Sequence, residues 1–360
     1  MEELGIRFIG SKAPLLTFIQ RHVQEICGTE PTTFGDLFCG TAVVSRLFKK
    51  LGYEIIANDN LAFCATSARA VLLNNEEPAF QRLIESGEVK SNSFARLVPS
   101  SYDLVLDHLN NLTGIAGFVY GEYSPGGTAG SRYRRQYFTD SNARQIDAIR
   151  ERIATWQEDR LLTEAEEALL IYDLMKAANR VANIAGTYGY FMKGWDPRAK
   201  KRLVLNRSTI IKSDKEHEVH QEDANQLVKK VKCQILYFDP PYTWRHYGAY
   251  YHMLETIARW DKPELKGKSG LRPWEDTRSK YCMRDEAAGA LDELIQAADA
   301  KHIFLSYNDE GLISHRKITE ILEKRGTPHA FETIYRRYKS NGGGSDQKKV
   351  TERLYYVPGR

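Results

Sequence analysis

Residues 235–244 read ILYFDPPYTW, an apolar run that stops in a carboxylate, two prolines and an aromatic ring. Ile235, Leu236, Tyr237 and Phe238 suit a strand buried on both faces, as in a parallel sheet. Pro240 cannot donate to a strand ladder, so the strand is predicted to end near Asp239. The paired prolines keep the chain stiff beyond that point. A carboxylate, a bare carbonyl and an aromatic face are thereby fixed at the end of a buried strand. In open α/β sheets that edge is where ligands bind. Taken alone, the same residues also read as a plain strand-ending turn.

The rest of the chain supplies the partners such a strand needs. The spacing predicts a helix over 14–27, a strand leading into the glycine turn of FGDLFCGTAVV (34–44), a helix near 41–51, a strand over 53–57 and a helix over 61–74. Thr163 and Glu166 form a capping box at the head of a helix over 163–183 whose apolar pattern suits packing on a sheet. HIFLSYNDE (302–310) reads as another buried strand, followed by a helix at 315–325 and two strands around a glycine-rich hairpin. Residues 202–211 carry strand periodicity. YGEYSPGGTAGSRYRRQYF (120–138) reads as a loop rather than a core element. Hydrophobic content of 42% is normal for a globular core, and a net charge of +4 is a weak pointer to nucleic acid. Five scattered cysteines without a CxxC pair argue against zinc and against a disulfide framework, and fit a reducing cytoplasm. No apolar stretch is long enough to span a membrane, and MEELGIRFIG does not read as a signal peptide.

Three constellations carry chemistry. In FGDLFCGTAVV, Asp36 ends a strand and Gly40 lets a ligand approach the backbone. Asp59 ends the next strand about 20 residues after the glycine turn, a spacing that suits ribose hydroxyls. The lone glycine and the lack of GxGxxG or GxxxxGK disfavour a pyrophosphate, so a nucleoside without phosphates fits better. In RFIGSKAPLL (7–16), Phe8 offers an aromatic face and Lys12 a cation before a helix, although such a lysine by itself reads as a solvated charge. In DPPY, the Asp239 carboxylate and the Pro240 carbonyl are two acceptors that can turn the lone pair of a ring-conjugated amine out of the ring. Tyr242 can stack on a base swung out of its helix.

GSK near the N-terminus, DLFCGT, an acid ending the next strand and a late DPPY resemble the Dam-like, D12 class of DNA adenine-N6 methyltransferases, in the motif order of its alpha group. YSPGG with SNARQIDAIR (123–150), GTYGYFMK (186–193), YHMLETIARWDKPELKGKSGLR (251–272) and RRYKSNGGGS (336–345) resemble a subgroup that accompanies restriction systems. The one departure is Ala42, where the family often has a second glycine. The resemblance implies a doubly wound, Rossmann-like α/β core that binds S-adenosylmethionine, over 1–75 and 165–360, with a DNA-recognition insertion at 76–164. It implies cofactor contacts at Phe8, Lys12, the loop holding Asp36, Phe38, Cys39, Gly40 and Thr41, and at Asp59 and Asp239, with Asp223 in EDANQL facing the adenine edge. Asp239, Pro240, Pro241 and Tyr242 match the catalytic loop. No metal is needed, because the electrophile is a sulfonium.

Arg132, Arg134 and Arg135 in 120–138, and Lys193, Lys200, Lys201 and Arg202 in a stretch with seven Lys/Arg against one Asp (193–212), are expected to meet double-stranded DNA. Tyr188 and Tyr190 are expected beside the extruded base, and Trp244, Arg245 and Tyr247 along the target strand. A companion restriction endonuclease is compatible with the resemblance. Cytosine-N4 methylation and a non-catalytic DNA-binding module are the competing readings. The carboxylate of Asp239 favours adenine, because a serine is more usual at that place in cytosine-N4 enzymes.

Overall fold

The computed structural model describes residues 5–89, 100–336 and 349–359. The chain divides into two compact units. One comprises Phe8–Ala68, Ser213–Gly248 and the described part of Glu275–Arg360, and we call it the sheet unit. The other comprises Arg69–Lys212 and Ala249–Trp274 with the residues before Phe8, and is mostly helical.

The sheet unit holds β1 (Thr33–Asp36), β2 (Glu54–Asn58), β3 (Glu218–His220), β4 (Lys232–Phe238), β5 (Asp299–Asn308), β6 (His329–Arg336) and β7 (Lys349–Pro358). Their order is β3-β2-β1-β4-β5-β7-β6. The first five run parallel, and β7 lies antiparallel between β5 and β6. The chain winds outward from β1 through β2 to β3, then returns to β4 on the other side of β1. The switch point between β1 and β4 is where a doubly wound sheet opens a ligand crevice. Phe34, Ile55, Ile235, Leu236 and Phe238 are fully buried, as strands covered on both faces require. Leu291, Leu294 and Ile295 of helix Arg284–Ala297 and Ile318, Ile321 and Leu322 of helix His315–Glu323 close one side of this core. As the prolines dictate, β4 ends at Phe238. The expected strands near the C-terminus pair as β6 and β7, while the glycine-rich turn and 337–345 of the RRYKSNGGGS stretch lie outside the described residues.

Three expectations need correction in the helical unit. The capping box of Thr163 and Glu166 is present, but helix Glu164–Val181 packs against helices Asp140–Glu158 and His252–Arg259 and belongs to this unit. This compact unit is wider than 76–164, the stretch expected to form the DNA-recognition insertion. Next, 120–138 is not peripheral: Tyr123, Tyr137 and Phe138 are fully buried. Last, 202–211 forms no strand. Leu203 and Leu205 do point inward, which explains the alternation, but the Asn142 and Asn110 side chains accept their amide hydrogens at 2.9 and 2.7 Å. Asparagine carboxamides here replace a neighbouring strand. Among the described residues no helix is long and apolar enough to cross a membrane.

Candidate active site

Parallel pairing sets the C-terminal ends of β1, β2 and β4 side by side, with Asp36 in register with Ala57 on one flank and Tyr237 on the other. Asp36, Asp59 and Asp239 therefore meet along one edge. Together they line one cavity with Phe8, Lys12, Phe38, Cys39, Gly40, Thr41, Asp223, Pro240, Pro241 and Tyr242. All expected cofactor and catalytic residues thus share one cavity within the sheet unit.

The glycine turn is held from several sides. Gly40 has a φ of 51°, and a Cβ there would sit 3.0 Å from the Phe8 ring. The Gly40 amide donates to Asp59 Oδ2 at 2.9 Å, and the Leu61 amide donates to Asp59 Oδ1 at 2.9 Å. Asp59 therefore ties the turn to the end of β2 as well as facing the cavity. Ala42 has a φ of 58°, also left-handed. A glycine would adopt this conformation freely; alanine holds it at a strain of roughly 1–2 kcal/mol. Asn58, the last residue of β2, donates to the carbonyls of Leu37 and Glu222, both at 3.1 Å. It stitches β1, β2 and the loop before Asp223, a role no sequence motif signalled.

Asp36 is buried and accepts Ser45 Oγ at 2.6 Å on one oxygen, while its Oδ1 receives no hydrogen bond among the described residues. Burial pushes its carboxyl up to about 7; the Ser45 hydroxyl opposes this, and the charges of Asp239 and Asp59 add to it. Asp223 caps the short helix Ala224–Leu227 through the amides of Asn225 and Gln226, so it is a helix cap that also lines the cavity. Beside it, the Tyr281 hydroxyl donates to Asn225 Oδ1 at 2.7 Å, and the Tyr281 ring meets Phe38 edge-on at 5.2 Å.

Lys12 is not a solvated charge. It is buried, with Nζ 2.8 Å from Asp239 and 3.1 Å from Glu352. Burial alone would lower its pKa, but the two carboxylates hold it well above the ordinary value. Asp239 is pushed up to about 6, chiefly by burial; Lys12 pulls it down and Glu352 pushes it up. The ammonium also lies 5.1 Å from the centre of the Tyr242 ring. Glu352 escaped the sequence reading. The signal was there: in VTERL, Val350, Glu352 and Leu354 occupy one face of β7, and a carboxylate stands where an apolar residue belongs. Tyr247 lines the same cavity against Phe8, with ring centres 5.1 Å apart, whereas Trp244 is mostly exposed.

Apart from Trp244, Arg245 and Tyr247, the expected DNA contacts lie in the helical unit. Arg132, Arg134, Lys193, Lys200, Lys201 and Arg202 are exposed, and Tyr190 is 80% exposed. Arg135 and Tyr188, by contrast with the expectation, are buried and have almost no surface to offer DNA. The Arg135 guanidinium donates to the Glu122 carboxylate at 2.8 Å and to the carbonyls of Glu122, Gly267 and Lys268. The Tyr188 hydroxyl donates to Asn179 at 3.3 Å, and its backbone carbonyl accepts the Tyr137 hydroxyl at 2.8 Å. Both residues are spent on holding their own unit together.

Residues 8–321 match the D12 class N6 adenine-specific DNA methyltransferase family. The chain belongs to that family. It is 36% identical over 355 residues to the Type II methyltransferase M.FokI of Planomicrobium okeanokoites and 37% identical over 355 residues to the modification methylase StsI of Streptococcus sanguinis. Those matches cover 98% of this chain and 52% of each relative, so the chain spans about half their length. It is 35% identical to the Type II methyltransferase M.NlaIII of Neisseria lactamica, with 98% of both chains covered.

Proposed function

We propose that the protein transfers a methyl group from S-adenosylmethionine to the N6 amine of adenine in double-stranded DNA. The observation that carries this is the meeting of Asp36, Asp59 and Asp239-Pro240-Pro241-Tyr242 at adjoining strand ends in one cavity. The residues fit the cofactor. The buried, undonated Oδ1 of Asp36 suits a cationic ligand, Asp59 suits ribose hydroxyls, and Phe38 with Asp223 and Asn225 suits a purine edge. The bound cofactor supplies an activated methyl group on a sulfonium.

The chain supplies the rest. Asp239 and the Pro240 carbonyl accept the two amine hydrogens and turn the nitrogen lone pair toward the methyl donor. Positive charge grows on that nitrogen, the Asp239 carboxylate stabilises it in a site sheltered from water, and the methylated amine then gives up one of its two protons to solvent. Tyr242 backs the extruded base. Exposed Arg132, Arg134, Lys193, Lys200, Lys201 and Arg202 hold phosphates or read guanine. Because relatives are Type II methyltransferases and modification methylases, we infer that the modification protects a site from a companion nuclease.

Sequencing of modified bases in DNA from cells expressing the protein is expected to show N6-methyladenine at one recurring site. N4-methylcytosine, or no modification, would overturn the reading. In vitro, Asp239→Ala is expected to lower single-turnover transfer at least roughly 10²–10³-fold, the scale for losing one preorganised charge-stabilising group. DNA affinity should hold, since phosphate contacts supply most of it.

A further inference from the structure

Glu352 sits on β7, opposite Asn308 of β5 and Thr333 of β6, and is 1% exposed. Val350 and Leu354, its neighbours on the same face, are buried and apolar. A strand that needed only to pack would carry an apolar side chain between them. Among the described residues neither Glu352 oxygen receives a hydrogen bond of good geometry, and Lys12 at 3.1 Å is its ion-pair partner. A buried carboxylate so poorly satisfied is costly to keep. Lys12 is already paired with Asp239 at 2.8 Å. The cluster therefore sets two carboxylates against one ammonium.

We infer that Glu352 is a positioning residue for methyl transfer: it holds Lys12 in place and offsets the ammonium charge, so that the cluster around Asp239 stays net negative where positive charge grows on the target amine. This rests on the reading of Asp239 as the group that faces that amine. Without Glu352, Lys12 would neutralise Asp239 in a site where positive charge must grow. With it, the cluster stays net negative through the step. The chemistry asks for a charge at Glu352, not merely for its shape.

The charged and titratable groups facing Asp239 are Lys12 from the N-terminal segment, Glu352 from β7, Asp36 from β1, Tyr237 from β4, and Tyr242 and Tyr247 from the loop beyond. Removing the Glu352 charge removes a repulsion that disfavours ionised Asp239, so the acid limb of activity must move to lower pH. A packing defect would slow the enzyme without moving that limb.

The test compares Glu352→Gln and Glu352→Ala, whichever folds by melting curve and duplex binding, with charge-retaining Glu352→Asp. Single-turnover methyl transfer to duplex DNA is followed against pH at saturating cofactor. Loss of the charge is expected to slow transfer roughly tenfold or more, less than loss of a group that touches the amine. The acid limb is expected to fall by about one pH unit, the low end of what one nearby charge does to a carboxyl. Glu352→Asp is expected to keep the limb in place. An unchanged rate in the charge-removing variant, or equal slowing in both variants with an unmoved limb, overturns the proposal. If the wild-type protein itself leaves adenine unmodified while binding duplex and cofactor, the reading of the site falls instead.

Discussion

Asp147 and Asp173 in the helical unit, and Asp36 and Glu352 in the sheet unit, are all buried carboxylates, but their oxygens fare differently. Asp147 accepts the backbone amides of Gly117, Val119 and Tyr120 at 3.1, 2.7 and 2.8 Å. Asp173 accepts the hydroxyls of Tyr102 and Ser208 and pairs with Lys176 at 3.2 Å. By contrast, among the described residues Asp36 keeps an undonated oxygen and Glu352 has only its ion pair. Buried charge normally comes with partners that satisfy it. Where the partners are complete, the charge builds the fold. Where they are incomplete, as at Asp36 and Glu352, the carboxylates belong to the site for which we propose a function.

The largest effect that tests this contrast is on stability. Asp173→Ala removes the carboxylate from a buried network and leaves the Lys176 ammonium without it. Breaking such a pair from one side costs roughly 3–5 kcal/mol. Denaturant unfolding should show that loss, while Asp36→Ala should cost far less because that carboxylate is only half satisfied. Equal losses would erase the distinction.

The same contrast explains what the sequence could reveal. Strands and their acidic ends were legible because apolar runs broken by proline, glycine and carboxylates have few other uses. Asp36, Asp59 and Asp239 each follow such a run, and pairing then brings them together. Lys12 reads as a surface charge when taken alone, because its partners Asp239 and Glu352 lie more than 200 residues away in sequence. Arg135 and Tyr188 read as ligand contacts because glycine-rich, aromatic, basic segments look alike whether they bind DNA or knit a compact unit. The alternation in 202–211 was real, yet a period of two reports which side chains turn inward, not what pairs with the backbone. Helix Glu164–Val181 is buried nearly all round, so its pattern could not say which unit it packs in.

Asp59 lies between the two classes, since its oxygens accept the amides of Gly40 in the turn and Leu61 beyond β2, and yet it lines the cavity. Asp59→Ala is expected to weaken cofactor binding by roughly 1.5–3 kcal/mol, the worth of charge-assisted hydrogen bonds. It should also lower the melting temperature, because the Gly40 and Leu61 amides lose their acceptor. Calorimetry beside a melting curve separates the two. A lower melting temperature with an unchanged dissociation constant would make Asp59 purely structural.

In the helical unit, exposed Arg132 and Arg134 contrast with buried Arg135. Replacing both exposed arginines with alanine should reduce the log–log salt slope of DNA binding by about 1.8 if each meets one phosphate. Arg135→Ala should instead destabilise the protein and leave the slope alone. A change in slope on Arg135→Ala in a folded protein would reverse their assignment.

The smallest effect concerns Asp36 and its half-satisfied carboxylate. Burial holds its pKa up to about 7, so near neutral pH it is only partly ionised before a ligand arrives. A cationic ligand favours the charged form and draws the pKa down. Cofactor binding should therefore release protons at pH 6.5, and affinity should rise with pH. Between pH 7 and 8 the gain is about twofold, since the ionised fraction goes from about half to nearly all; below pH 7 it steepens toward tenfold per unit. Titration calorimetry in buffers of unlike ionisation enthalpy reads the proton count directly. Asp36→Asn should bind more weakly and lose that release, which separates Asp36 from protons released by the ligand's own amine. If the variant releases as many protons as the wild type, then the undonated oxygen of Asp36 does not face positive charge. The contrast between satisfied and unsatisfied carboxylates would then have to rest on Asp239 and Glu352 alone.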